Sequence, residues 1–159
     1  MSNSPAIQCQ CPCGATKFTV SGEPLVRALC HCTICQAFNE SPYADITIFS
    51  SGQVDLPDDH PVDFKEYRKP PAVQRGKCSA CGKPAIEYLR LPVFPDIVFV
   101  PSANFPDQSA LPSPSLHVFY NSRVADFQDD LPRYQGYWPS QAAFMRYLVK
   151  ALLKRRARA

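Results

Sequence analysis

Eight cysteines in three tight clusters constrain this chain more than any other feature of its sequence. The first cluster is Cys9, Cys11 and Cys13, the middle cluster is Cys30, Cys32 and Cys35, and the third cluster is Cys78 and Cys81. Thiols spaced this closely suit metal chelation better than disulfides within one chain, whose geometry is demanding. The first ten residues lack the charged and apolar regions of a signal peptide, so we expect a cytoplasmic, reducing location that favours metal ligation. A framework of four disulfides is the alternative.

The first and third clusters together offer a closed set of four thiolates, which is the pattern of a structural zinc site. Residues Cys78–Gly82 and Cys11–Gly14 both indicate a zinc knuckle, because a glycine after the second thiol permits the positive φ of a tight turn. Cys9 could replace one thiol of the first pair, but Gly14 follows its cysteine as Gly82 does, so we favour Cys9 as a spare thiol. The predicted structural zinc ligands are Cys11, Cys13, Cys78 and Cys81.

The middle cluster, with the sequence Cys-His-Cys-Thr-Ile-Cys, supplies three thiols and no fourth. Zinc held by three protein ligands keeps one position for water or substrate. Three thiolates favour a soft partner, and an added thiol is the natural one. We therefore predict a second, open zinc site at Cys30, Cys32 and Cys35, which are also the candidate catalytic residues. The alternative is that Cys9 or a histidine closes this site and makes it structural too.

Seventeen prolines against six glycines favour short strands and frequent turns. We expect residues 1–8 to be irregular. Seven later segments have the composition or alternation of strands: Ala15–Val20, Leu25–Leu29, Tyr43–Phe49, Asp63–Tyr67, Ala85–Leu91, Asp96–Pro101 and Leu116–Tyr120. This pattern predicts an all-β, mainly antiparallel body.

A single clear helical pattern covers residues 140–156, with Ser140 as the predicted N-cap. Its apolar stripe, at spacings i, i+3, i+4, i+7 and i+8, is Phe144, Tyr147, Leu148, Ala151 and Leu152. We accordingly predict a zinc-binding domain over residues 7–137 and a basic amphipathic C-terminal helix over residues 138–159.

Residues 140–159 hold six cations and no acidic residue, so the rest of the chain has a net charge of −3 when the total is +3. The body therefore gives no electrostatic reason to expect nucleic acid as a partner. No apolar run approaches the ~20 residues that span a bilayer, so we expect no membrane partner. We expect the helix to pack on the body while its basic end stays solvated, and binding of the helix to acidic partners or nucleic acid is the alternative.

Several other residues have ordinary structural interpretations. We expect His31 to pack or to support the metal site, His117 to be a satisfied core histidine, and the Asp129-Asp130 pair to be solvated or to cap a turn. The aromatic residues predicted to lie in the core are Phe94, Phe99, Phe105, Phe119, Tyr120 and Trp138.

The cysteine runs, in their order along the chain, resemble the glutathione-dependent formaldehyde-activating enzyme and centromere protein V family. The runs that carry the resemblance are Cys11-Pro-Cys13-Gly14, Cys30-His31-Cys32-Thr33-Ile34-Cys35 and Cys78-Ser79-Ala80-Cys81-Gly82. His117-Val-Phe-Tyr and Asp129-Asp130-Leu131-Pro132 are similar to the closing segment of that family. The resemblance covers about residues 7–135 and implies an Mss4-like β-tent. It also implies a structural zinc at Cys11, Cys13, Cys78 and Cys81, and a second zinc at Cys30, Cys32 and Cys35 that glutathione or a similar thiol can complete.

The family activity implied is a carbon–sulfur lyase reaction that reversibly joins formaldehyde and glutathione as S-hydroxymethylglutathione. We therefore predict a zinc-dependent carbon–sulfur lyase that acts on the adduct of a glutathione-like thiol and a small aldehyde. A non-enzymatic, zinc-stabilised binding module is the alternative. A sulfoxide reductase would require a redox thiol outside the zinc sites, for which the sequence offers Cys9. The sequence does not determine the oligomeric state.

Overall fold

The computed structural model describes residues 4–68, 73–90, 92–93 and 95–159, and within them the chain is mostly β-sheet and mainly antiparallel, with two α-helices. The strands are β1 (Ile7–Gln10), β2 (Lys17–Val20), β3 (Val26–Cys30), β4 (Ala44–Ser50), β5 (Val54–Asp55), β6 (Val62–Glu66), β7 (Val73–Cys78), β8 (Pro84–Leu89), β9 (Ile97–Pro101) and β10 (Leu116–Val118). The helices are α1 (Thr33–Asn39) and α2 (Tyr137–Arg158). The prediction of a mainly antiparallel all-β fold with a C-terminal helix is confirmed.

The chain forms two compact units. The first unit consists of residues 25–46 and 112–159, and so contains β3, α1, β10 and α2. In it β10 runs parallel to β3, with Val118 opposite Cys30, and α2 contacts both strands. This pairing places the end of β3, where the middle cysteine cluster begins, against the strand that carries His117.

The second unit consists of the described parts of residues 4–24 and 47–111. Strands β6, β7, β8 and β9 pair antiparallel in sequence order, and β2 pairs antiparallel with both β1 and β5. Its buried core consists of Cys9, Phe18, Val20, Phe49, Val62, Ala85, Ile86, Val98, Val100 and Phe105. Burial of this apolar surface is the main driving force for folding of the unit.

All seven predicted strands are present, with ends that differ by at most two residues; Leu91 and Phe94 lie outside the described residues. The prediction that residues 1–8 are irregular is wrong at Ile7 and Gln8, which belong to β1. Strands β5 and β7 and helix α1 were not predicted. Strand β7 is polar except at its ends, and it is a strand because β6 and β8 pair with it on either side.

Helix α2 begins earlier than predicted, with Gly136 at φ 79° as its N-cap, so the assignment of Ser140 as N-cap is wrong. Pro139 lies in the first turn, where the missing N–H would have no helical acceptor in any case, and the helix therefore includes it. The buried Ser140 hydroxyl instead accepts a hydrogen bond from the Phe119 N–H at 2.8 Å and contacts the Tyr134 carbonyl at 3.3 Å. Ser140 thus attaches the helix to the segment after β10.

The predicted stripe of α2 is only partly buried. Leu148 is fully buried, whereas Phe144, Tyr147, Ala151 and Leu152 are half-buried. Trp138 was predicted to lie in the core and is 78% exposed, so that prediction is wrong. The structure places it in the first turn of the helix, next to Tyr137. Among the described residues, neither helix has the length and apolar character that a bilayer span requires.

Candidate metal centres

Four thiols of the second unit converge on one point. The ligand atoms of this four-thiol group, Cys11, Cys13, Cys78 and Cys81, all lie within 4.8 Å of one another. The Sγ atoms of Cys11 and Cys13 are 3.4 Å apart, and those of Cys13 and Cys78 are 3.8 Å apart. A disulfide requires about 2.05 Å, whereas four sulfurs around a tetrahedral zinc lie about 3.8 Å apart. The distances fit a metal site and exclude disulfides in this structure.

Two similar turns present these thiols. In the first, the Gly14 N–H donates to the Cys11 carbonyl at 2.9 Å, and in the second the Gly82 N–H donates to the Cys78 carbonyl at 2.7 Å. Both glycines have positive φ, 77° and 71°, as the two knuckles predicted from sequence require. Backbone N–H groups also point at sulfur, with the Thr16 N–H donating to Cys11 Sγ at 3.4 Å. Each turn is therefore built to support thiolate sulfur.

Electrostatics in the four-thiol group favour a bound cation. Although burial opposes it, hydrogen bonding by Thr16 and by backbone groups lowers the pKa of Cys78 to about 6. The neighbouring Cys11 thiol raises the pKa of Cys13 to about 12, although the Ala15 N–H opposes this. Four neighbouring thiols cannot all ionise unless a positive charge lies between them. A soft divalent metal ion supplies that charge. The donor set therefore fits zinc.

Cys9 takes part in neither group of converging thiols among the described residues. It lies on β1, is fully buried in the core of the second unit, and has its pKa raised to about 12 by burial. A thiol that is buried and protonated is a poor redox nucleophile. The structure therefore gives no support to a redox activity based on Cys9.

Three thiols of the first unit form a second group, the three-thiol group of Cys30, Cys32 and Cys35, with all ligand atoms within 4.8 Å of one another. Cys30 ends β3, and its Sγ lies 3.4 Å from that of Cys35. Cys32 is the N-cap of α1, and its Sγ accepts a hydrogen bond from the Cys35 N–H at 3.2 Å. The first turn of helix α1 thus brings Cys35 back toward the other two thiols.

The three thiols are crowded, and this raises the pKa of two of them. The neighbouring Cys32 thiol and burial raise the pKa of Cys30, and the Cys30 and Cys32 thiols raise the pKa of Cys35. A soft cation would relieve this repulsion and let all three sulfurs ionise, so the donor set fits zinc. Cys30 and Cys35 are each 6% exposed, whereas Cys32 is half-buried, so solvent reaches the group on the Cys32 side.

In the part of the chain that the structure describes, the three-thiol group has no fourth ligand. Within the described residues, no additional Cys, His, Asp or Glu has a ligand atom within the distance that defines the group. Cys9 and the histidines therefore do not close it as the alternative interpretation required. The structure brings together the residues of each site as the sequence grouped them.

A hydrogen-bonded chain of three side chains lies beside the three-thiol group. His31 Nε2 is 2.9 Å from His117 Nδ1, and His117 Nε2 is 2.9 Å from Asp129 Oδ2. His31 is 1% exposed and His117 is 0% exposed. His117 is thus the satisfied core histidine that was predicted, but Asp129 is an acceptor for it and not merely a solvated or capping residue. We call these three residues the histidine–aspartate chain.

Acid should weaken the fold partly through His31. Burial, and secondly the neighbouring His117, lowers the pKa of His31 to about 4, whereas an unfolded histidine titrates near 6.5. The stability from neutral His31 is thus fully present above pH 6.5 and is lost as the pH falls toward 4. Between pH 7 and pH 5 we expect the wild-type free energy of unfolding to fall by about 2 kcal/mol more than that of His31→Gln, measured by urea unfolding. Equal losses in the two proteins would contradict this prediction.

A family model described as glutathione-dependent formaldehyde-activating enzyme matches residues 6–122, roughly three quarters of the chain. The match includes both thiol groups and His117, and it ends before Asp129 and α2. No curated protein matches the chain.

Proposed function

Because the chain belongs to the glutathione-dependent formaldehyde-activating enzyme family, we propose that it is a zinc-dependent carbon–sulfur lyase. Its substrate would be the adduct of a glutathione-like thiol and a small aldehyde such as formaldehyde. The observation that best supports this proposal is the three-thiol group, which has three converging sulfurs, no fourth ligand among the described residues, and a solvent-accessible side at Cys32. A closed site could not admit a substrate sulfur.

The two thiol groups have different tasks in this proposal. The four-thiol group would hold a structural zinc that joins the turn after β1 to the turn after β7. The three-thiol group would hold the second zinc, which, when bound, supplies Lewis acidity and favours the ionised form of an added thiol. A reducing location such as the cytoplasm suits both groups, because each ligand must stay a free thiol.

The reaction forms or breaks one carbon–sulfur bond. In the synthetic direction the thiol sulfur bonds to the carbonyl carbon of the aldehyde, and the thiol proton ends on the carbonyl oxygen. The chain contributes a rigid position for the reacting sulfur, since Cys30 ends a strand, Cys32 caps a helix and Cys35 lies in its first turn. Burial of Cys30 and Cys35 limits water on the inner side.

Zinc K-edge X-ray absorption tests this proposal directly. A protein with one site of four sulfurs and one of three should show a mean of about 3.5 sulfur ligands per zinc. Addition of glutathione should raise the mean to about 4, and a tripeptide with serine in place of cysteine should leave it unchanged. A spectrum that does not respond to any thiol would contradict the enzyme proposal and favour the binding module.

A further inference from the structure

In the histidine–aspartate chain, the Asp129 carboxylate determines which nitrogen of each imidazole carries the proton. Asp129 Oδ1 accepts hydrogen bonds from the Leu131 N–H and from the Arg133 guanidinium, both at 3.1 Å. Although desolvation opposes it, the hydrogen bond from His117 lowers the pKa of Asp129, so the carboxylate is ionised at neutral pH. An ionised carboxylate only accepts hydrogen bonds, so His117 carries its proton on Nε2. With that one proton on Nε2, His117 presents the lone pair of Nδ1 to His31 Nε2, 2.9 Å away, and His31 then donates from its own Nε2.

His31 is in turn attached to the three-thiol group through the backbone. It stands between Cys30 and Cys32, its N–H donates to the Val118 carbonyl at 3.0 Å, and its carbonyl accepts from Gln36 Nε2 at 2.7 Å. The imidazole is the third point of attachment of this residue. Around it pack Tyr43, Tyr120 and Phe127, with ring centroids 5.8, 5.2 and 5.3 Å from that of His31.

We propose that His117 and Asp129 are positioning residues for the three-thiol group, because they hold His31 as the Nε2–H tautomer in one orientation and thereby fix the sulfurs of Cys30 and Cys32. The inference rests on the proposed function, since it assigns a task to residues beside the proposed reaction site. Partners outside the ligand shell commonly orient metal ligands, and here they orient the residue between two ligands. Neither residue belongs to the three-thiol group, so both act through His31.

Asp129→Asn tests the proposal with little change of shape. The Leu131 and Arg133 donors require an oxygen at the Oδ1 position, so the amide nitrogen must face His117. That nitrogen donates to His117 Nε2 and forces the proton of His117 onto Nδ1. His31 must then accept at Nε2 and carry its own proton on Nδ1. One substitution thus inverts both tautomers while the shape of the side chain is retained.

Imidazole nitrogen NMR of the zinc-loaded protein reads these tautomers, and the sequence has only three histidines to assign. We expect Nε2–H for His31 and His117 in the wild type and Nδ1–H for both in Asp129→Asn. In the cobalt-loaded variant, the thiolate-to-metal charge-transfer absorption should differ from that of the wild type. The kcat of the variant should fall about tenfold, while its free energy of unfolding stays unchanged. Asp129→Glu keeps a carboxylate acceptor and should have the wild-type tautomers. The matched control is Asp130→Asn, at the exposed neighbouring residue, which should equal the wild type in tautomers, cobalt absorption and kcat.

Several outcomes would overturn the proposal. A proton on Nδ1 of His31 in the wild-type protein would overturn it. This measurement needs no variant, so the proposal can be tested even if Asp129→Asn fails to fold. An Asp129→Asn protein in which His31 keeps its Nε2 proton would do so as well. Inverted tautomers with unchanged cobalt absorption and kcat would show that the chain does not position the thiols. If the tautomers and cobalt absorption change as expected but the wild type has no lyase activity, the proposed function fails and the positioning of the thiols stands.

Discussion

Cys81→Ala should unfold the unit that carries the four-thiol group, with a loss of roughly 4–5 kcal/mol or more in the free energy of unfolding. The group links two turns that are 65 residues apart in sequence, as the contact between Cys13 and Cys78 shows. Metal binding at such a site contributes directly to folding, because the unfolded chain holds no preformed site. Zinc content and urea unfolding of the same sample measure the effect, and zinc should fall from two ions per chain to one.

The matched control is Cys32→Ala, because Cys32 and Cys81 are both half-buried and each belongs to one of the two thiol groups. The thiols of the three-thiol group lie within six residues of sequence, so a metal bound there would close almost no loop. We expect Cys32→Ala to cost only about 1 to 2 kcal/mol in the free energy of unfolding. Equal destabilisation by the two substitutions would mean that both metals are structural, which is the expectation for a binding module.

Cys32→Ala should instead abolish catalysis, with kcat/KM reduced by about 10³, equivalent to about 4 kcal/mol of transition-state stabilisation. Cys32 is the thiol on the accessible side of the three-thiol group, and without it two buried thiols remain. Two sulfurs leave a metal poorly held and the reacting sulfur without a defined position. Exchange NMR with isotope-labelled formaldehyde measures adduct formation above the uncatalysed rate.

Cys9→Ala serves as the control for this measurement, because it removes a thiol that belongs to neither group among the described residues. It should keep the wild-type kcat/KM, although the loss of a buried side chain lowers stability. If Cys32→Ala retained the activity of Cys9→Ala at equal zinc content, the three-thiol group would not be the reaction site.

Most of the strands could be predicted from the sequence because their patterns are local. The predicted strands alternate or are apolar, and both properties belong to the strand itself. Strand β7 has neither property, and it contains Gly76, a residue type that is depleted in strands. The structure explains that glycine, since a Cβ there would lie 2.6 Å from Val62 Cγ1 and 2.8 Å from the Ile86 carbonyl oxygen. Glycine is therefore required by the close approach of neighbouring strands, which no local pattern reveals.

Helix α1 shows the same limit at the candidate site. It has seven residues, too few for an apolar period, and its cap is a cysteine and not one of the usual capping residues. The sequence could place Cys35 near Cys30 and Cys32 by spacing alone, but it could not say that a helix does so. The sequence could predict that Cys11 and Cys13, and not Cys9, join the four-thiol group, because the positive φ of a glycine is a local property.

By itself, the sequence determined the two sets of thiols and the mainly antiparallel strands, because sulfur spacing, glycine turns and residue alternation act over a few residues. The tertiary structure alone decided the histidine–aspartate chain. His31 and His117 are 86 residues apart, and they meet because β10 pairs in parallel with β3 in one particular register. A shift of one residue in that register would turn His117 to the opposite face and separate the two rings. Contacts of this kind depend on how strands assemble and not on the residues that flank them.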